Sequence, residues 1–140
     1  MTDIRPYVLV IDDSPDVADS TVELLQLWGF GAEAHYSGVS ALAAVVRHRP
    51  AVILLDIGMS PMNGFTFAAH LRELPGCERT AVIAVSGYTT DVCRERGREL
   101  GIDHYLFKPA DLGVLHRLVG LLVVSSVRVE ARAFAAMRAD

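Results

Sequence analysis

Ala51-Val52-Ile53-Leu54-Leu55-Asp56 is the stretch on which the fold turns. The run is apolar without interruption and then ends on an acid. A strand with one wet face alternates apolar and polar residues. An unbroken run is a strand buried on both faces, as in a parallel sheet covered by helices. Tyr7-Val8-Leu9-Val10-Ile11 repeats the pattern and ends in Asp12-Asp13. Ala81-Val82-Ile83-Ala84-Val85 repeats it again and ends at Ser86-Gly87. A shorter run from His104 to Phe107 ends at Lys108-Pro109, and a weaker strand lies near Ala32 to Tyr36.

Helix signals fill the gaps. Ser14-Pro15 opens the first helix, with Ser14 as its expected N-cap. Val17, Val22, Leu24, Leu25 and Trp28 form its apolar stripe, and Gly29 stops it. Ser37-Gly38 opens the second, which carries Leu42, Val45 and Val46 and ends before Pro50. The segment 58–64 holds Gly, Pro and Asn and reads as a loop. Phe65 to Leu74 reads as the third helix, halted by Pro75-Gly76. Thr89-Thr90-Asp91 caps a polar, arginine-rich fourth that ends near Gly101, and Asp111 to Val124 is the fifth. Strand and helix alternate five times. The reading is an α/β fold, a doubly wound five-stranded parallel sheet of flavodoxin-like order 2-1-3-4-5 with right-handed crossovers. In such sheets the ligand site lies outside the carboxyl ends of the strands.

A length of 140 residues suits one domain, expected over 1–124, with 125–140 as a tail or linker. Ala131 to Arg138 could form a short helix there, with Phe134 and Met137 on one side. The net charge of −4 gives no support for a nucleic-acid surface. No stretch approaches the ~20 apolar residues of a membrane span. Cys77 and Cys93 suggest neither a disulfide framework nor a metal site, and fit a reducing cytoplasm. The five histidines are scattered without metal-ligand spacing. Arg94, Arg96 and Arg98 alternate with Glu95 and Glu99 as a solvated helix face, which could also serve as a partner surface.

The polar residues that end the apolar strands carry the chemistry. Sheet geometry should gather Asp12, Asp13, Asp56, Ser86 and Lys108 in one pocket. Three clustered carboxylates repel one another, and a hard divalent cation such as Mg²⁺ relieves that repulsion. Lys108 adds a cation and Ser86 a hydroxyl. Together with a nucleophilic carboxylate they suit phosphoryl transfer, with an acyl phosphate as the product on aspartate.

Four segments, VLVIDDSPD (8–16), LLDIGMSPMNGF (54–65), AVSGY (84–88) and GIDHYLFKPADL (101–112), resemble response-regulator receiver domains. The resemblance runs from Tyr7 to about Val124. It implies Asp56 as phosphoacceptor, with Asp13, Asp56 and the Gly58 carbonyl binding Mg²⁺ directly and Asp12 acting through water. It implies that Ser86 and Lys108 contact the phosphoryl oxygens and that the Lys108-Pro109 bond is cis. Tyr105 falls at the family's aromatic switch position, where Ser86 moves toward the phosphoryl group and the ring turns inward. Gly58 and Tyr88 sit where the family tunes hydrolysis. A sensor histidine kinase or histidine phosphotransfer protein is the implied donor. The implied output is a protein target or self-association through the fourth helix, fifth strand and fifth helix. The chain would then be a stand-alone regulator or a receiver of a hybrid kinase, catalysing only its own phosphorylation and dephosphorylation. One departure is Ser60-Pro61, where proline stands one place later than the family usually has it. An aspartyl-phosphate phosphatase is the enzymatic alternative, but Asp56 is followed by Ile57-Gly58, not by a second acid two residues on. No Gly-X-Gly-X-X-Gly follows the first strand, which argues against a dinucleotide site.

Overall fold

The computed structural model describes residues 6–87 and 90–138, with residues 127–138 described by backbone alone. Strands and helices alternate as β1 (Tyr7–Ile11), α1 (Pro15–Leu27), β2 (Gly31–His35), α2 (Gly38–Arg47) and β3 (Val52–Asp56). The second half continues as α3 (Gly64–Glu73), β4 (Ala81–Ser86), α4 (Asp91–Glu99), β5 (His104–Phe107) and α5 (Leu112–Arg138). The five strands form one parallel sheet in the order β2-β1-β3-β4-β5, as the alternation of apolar runs and helices predicts.

The unbroken apolar runs sit where their pattern demands. All of β1 is buried, as is β3 up to Leu55, and both lie inside the sheet. Successive side chains leave the sheet on opposite faces, so each run feeds two cores. Leu9, Ile11, Ile53, Leu55, Val82 and Ala84 face one layer with Phe67 and Leu71 of α3 and Val45 of α2. Val8, Val10, Val52, Leu54 and Ile83 face the other with Ala18 and Leu25 of α1 and Leu115 and Val119 of α5. A fully buried side chain of this size stabilises by about 1.5–3 kcal/mol. β2 is the weak strand of the sequence because it is an edge, with Gly31 and Glu33 exposed.

Turn chemistry sets the helix ends. Asn63 accepts the Thr66 N–H at 2.9 Å and Thr90 accepts that of Cys93 at 3.1 Å, each at the N-terminus of its helix. Gly29 and Gly101 stop α1 and α4 with φ of +95°, a conformation that favours glycine. Two expectations are revised. The Ser14 side chain makes no capping bond; its backbone N–H instead donates to Asp12 Oδ1 at 3.0 Å, so the aspartate two residues earlier organises the turn. The fifth helix does not end at Val124 but runs to Arg138, so no separate short helix begins at Ala131. Nothing between Ser125 and Arg138 breaks a helix: the segment holds no Gly or Pro and is rich in Ala and Arg. The expected roles of Phe134 and Met137 side chains, and of Tyr88 and Thr89, lie outside the described residues. No described helix is long and apolar enough to cross a membrane.

Candidate functional site

Parallel pairing aligns the carboxyl ends of the strands, and the polar residues that end them meet there. Ile11 stands opposite Leu55, so Asp12 follows β1 where Asp56 closes β3. Asp56 in turn stands opposite Val85, with Ser86 next along β4. Ser86 is opposite Phe107, and the Ser86 carbonyl accepts the Lys108 N–H at 2.8 Å. Carboxylate oxygens of Asp12, Asp13 and Asp56 all lie within 4.8 Å of one another. Lys108 Nζ is 3.3 Å from Asp12 Oδ2 and 3.4 Å from Asp56 Oδ1. The Gly58 N–H donates to Asp56 Oδ1 at 3.1 Å, which draws the loop after β3 toward the acid. The gathering of Asp12, Asp13, Asp56 and Lys108 is therefore as the strand ends predict, and Ser86 borders it.

Electrostatics follow from this crowding. Burial pushes the Asp56 carboxyl up from its ordinary 3.8, against the Gly58 N–H, which pulls it down; Asp12 adds like-charge repulsion. Burial works to lower the Lys108 ammonium, but attraction to Asp56 and Asp12 outweighs it and holds Lys108 above its ordinary 10.5. The three acids present only oxygen donors in one mouth, Asp12 buried, Asp56 half-buried and Asp13 exposed to solvent. That donor set, with its excess of negative charge over the single lysine, fits a hard divalent cation such as Mg²⁺.

The raised Asp56 carboxyl has a consequence for stability. A folded-state pKa above the unfolded one means that the native protein binds the proton more tightly, so stability falls as pH rises through that range. Without divalent cation, Asp56→Asn is expected to raise the melting temperature at pH 7 by a few degrees. The gain should fade as pH falls through the raised folded value toward 3.8, the ordinary carboxylate value, and be absent below it. Thermal melts in chelator at several pH values check this.

Beside the acids lies an apolar cavity of about 520 Å³ between α1, β1, β3 and the start of α5. Val17, Thr21 and Leu24 of α1 form one wall and Pro109 and Leu112 the other, with Asp12, Asp56 and Lys108 at its edge. From the sequence Val17 and Leu24 belong to the core stripe of α1. The structure leaves Val17 45% exposed, so that stripe is wider than the core needs. Tyr105 lies apart from the acids. Its ring packs half-buried against the core under α4, and its hydroxyl donates to the Cys93 carbonyl at 3.2 Å. The Lys108-Pro109 bond is cis, as the resemblance implies, and so is Ser60-Pro61 in the departing loop. The arginine face of α4 carries local ion pairs, Arg94 with Asp91 and Arg98 with Glu95.

Comparison with known proteins agrees with this geometry. Residues 8–120 match the family profile described as the response regulator receiver domain. The transcriptional regulatory protein PrrA of Mycobacterium tuberculosis is 36% identical over 110 residues, covering 79% of this chain and 46% of that protein. The transcriptional regulatory protein CreB of Escherichia coli is 30% identical over 105 residues, covering 75% of this chain and 45% of that protein. The chain thus spans about half the length of these curated regulators. The solved structure of the chemotaxis protein CheY4 of Vibrio cholerae superposes with a TM-score of 0.79 at 26% identity, covering 84% of this chain and 98% of that one.

Proposed function

The chain belongs to the response regulator receiver domains of two-component systems, and from that premise we propose that Asp56 accepts a phosphoryl group from a phosphohistidine donor with the help of Mg²⁺. The family is one of signalling receivers, which pair with histidine kinases, and not of enzymes acting on outside substrates. One observation carries the assignment of residues: three carboxylates within 4.8 Å of one another, with Lys108 bridging two of them.

Each residue then has a task. An Asp56 carboxylate oxygen attacks phosphorus in line with the donor nitrogen. The P–N bond breaks, its electron pair stays on the imidazole, and that nitrogen takes up a proton. The product is an acyl phosphate. Asp12, Asp13, Asp56 and the Gly58 carbonyl would hold Mg²⁺, Asp12 through water, and the bound cation would neutralise charge on the transferring group. Lys108 neutralises a phosphoryl oxygen from the β5 side, and the Ser86 hydroxyl donates to another from the end of β4. Hydrolysis reverses the roles: water attacks phosphorus, the C–O–P bridge breaks at phosphorus, and the carboxylate leaves.

The apolar cavity beside Asp56 supports a docking place for the donor. A helix that lays an apolar side chain between Val17, Leu24 and Leu112 would bring its histidine up to the acids. We read 1–124 as the receiver unit and 125–140 as a linker or docking tail, with output through α4, β5 and α5. Exposed Val92 and Phe107 favour that face. The buried Cys77 and the free thiol of Cys93 suit a reducing cytoplasm.

Backbone NMR with Mg²⁺ and beryllofluoride, a phosphoryl mimic, tests the site. Shifts centred on Asp56, Ser86 and Lys108, absent in Asp56→Asn, are expected. Shifts that persist unchanged in the variant would remove Asp56 from the assignment.

A further inference from the structure

Among the residues of α4, Gly97 alone is buried. Glycine inside a helix is disfavoured relative to alanine, because it loses more backbone freedom and adds no side chain. Gly97 therefore works against the helix that contains it, and its surroundings show what it permits. A Cβ placed there would stand 1.8 Å from the Tyr105 hydroxyl oxygen, 2.7 Å from Cζ and 3.0 Å from Cε2. No side chain fits at 97 while the ring stays where it is. The hydroxyl donates to the Cys93 carbonyl, one helical turn before Gly97. The missing methyl and the accepting carbonyl thus lie along one strip of α4, and together they form a seat for the end of the tyrosine.

The seat is joined to the phosphorylation site by a short stretch of strand. Tyr105 stands opposite Ala84 on β4, and two residues later Phe107 stands opposite Ser86. The next residue, Lys108, donates its N–H to Ser86 and reaches both Asp12 and Asp56. A change in how Tyr105 packs on α4 acts on a strand whose other end holds the site lysine.

We propose that Gly97 is the positioning residue for Tyr105: it opens the seat on α4 that holds the ring under the helix, and any side chain at 97 displaces the ring toward solvent. The proposal deepens the receiver reading and rests on it for the link between Tyr105 and Asp56. The physics favours movement of the ring over rupture of the helix. The clash falls on the far end of a rotatable side chain, whereas alanine improves the helix that receives it. The cost of eviction is one hydroxyl bond and part of the ring's packing against the apolar core. Burial and the neighbouring Cys93 also hold the Tyr105 hydroxyl above its ordinary pKa, in keeping with a seated ring.

The test uses the full chain labelled with 3-fluorotyrosine. Of the four tyrosines, the fluorine signal of Tyr105 is assigned as the one lost in Tyr105→Phe. In cation-free wild type, that signal should change little between H₂O and D₂O. In Gly97→Ala it should take the full solvent shift of an exposed ring, with an unchanged or higher melting temperature. A wild-type Tyr105 signal that is already fully solvent-shifted overturns the seat, and this arm does not depend on how any variant folds. A protected signal in folded Gly97→Ala overturns it equally.

A second arm reads the coupling. Beryllofluoride and Mg²⁺ should bind Gly97→Ala at least about fivefold more weakly than wild type, as befits coupling between two sites. The difference should disappear when both proteins also carry Tyr105→Ala, which removes the ring itself. Equal affinity in wild type and Gly97→Ala overturns the coupling. Failure of both proteins to bind beryllofluoride overturns the receiver reading, while the fluorine signals still decide the seat.

Discussion

Lys108→Met is expected to slow the loading of Asp56 by acetyl phosphate by about 10²–10³-fold, the usual effect of removing one group aimed at developing charge. Lys108 is the cation that bridges Asp12 and Asp56, at 3.3 and 3.4 Å. Methionine keeps the length and apolar stem of the side chain but leaves the two carboxylates facing each other. The same change should lower stability at neutral pH in the absence of divalent cation. The sign follows from Lys108 being held above its ordinary 10.5: its contribution is fully present below that value and is lost only as pH rises through the higher folded value. Lys108→Met should therefore cost stability throughout the neutral range and lose its effect only as pH rises well above 10.5. Lys108→Arg keeps the charge in a different shape and should fall between the two. Initial rates of phosphorylation, and melts at neutral pH and above pH 10.5, check both parts.

Arg72→Ala is expected to destabilise the fold by about 2–3 kcal/mol, the range for charge-assisted hydrogen bonds lost at a partly buried site. At the C-terminal end of α3, Arg72 donates to the Cys77 carbonyl at 2.7 Å, the Glu78 carbonyl at 3.3 Å and the Gly101 carbonyl at 2.5 Å. It also pairs with Asp103 at 3.3 Å, and Asp103 accepts the Val82 N–H at 2.8 Å. One guanidinium thus ties α3, the turn before β4, the turn before β5 and the first residues of β4 at the edge of the sheet away from the acids. Only a planar, forked donor spans these partners, so Arg72→Lys should recover little. Urea unfolding should show a lower midpoint at unchanged slope. Phosphorylation of the folded fraction should be unaffected, because Arg72 touches nothing at the site.

The contrast between these two residues explains what can be read from the sequence. Lys108 is legible because the sheet's geometry converts "polar residue at the end of an apolar strand" into a place in space. The same rule locates Asp12, Asp13, Asp56 and Ser86. Arg72 carries no such local sign: its partners lie between 5 and 31 residues away, and nothing around it differs from an ordinary surface helix. Gly97 escapes for a related reason. Within a run of charged residues it reads only as a weak helix position, and the tyrosine that needs it arrives on the following strand. The end of α5 is hidden because the apolar stripe that packs on the sheet fades near Val124, while helix formation continues wherever no residue stops it. Ser14 has the makings of a side-chain cap, but Asp12 competes for the same turn from outside the helix.

The central claim is that Asp56, and no other residue, takes up the phosphoryl group when Mg²⁺ is present. Intact mass of wild type and Asp56→Asn, each incubated with acetyl phosphate with and without Mg²⁺, addresses it directly. The expected result is the mass of one phosphoryl group added to wild type only with Mg²⁺, and none added to the variant. A wild-type protein that stays unmodified with Mg²⁺, or a variant that gains the same mass, would contradict the account.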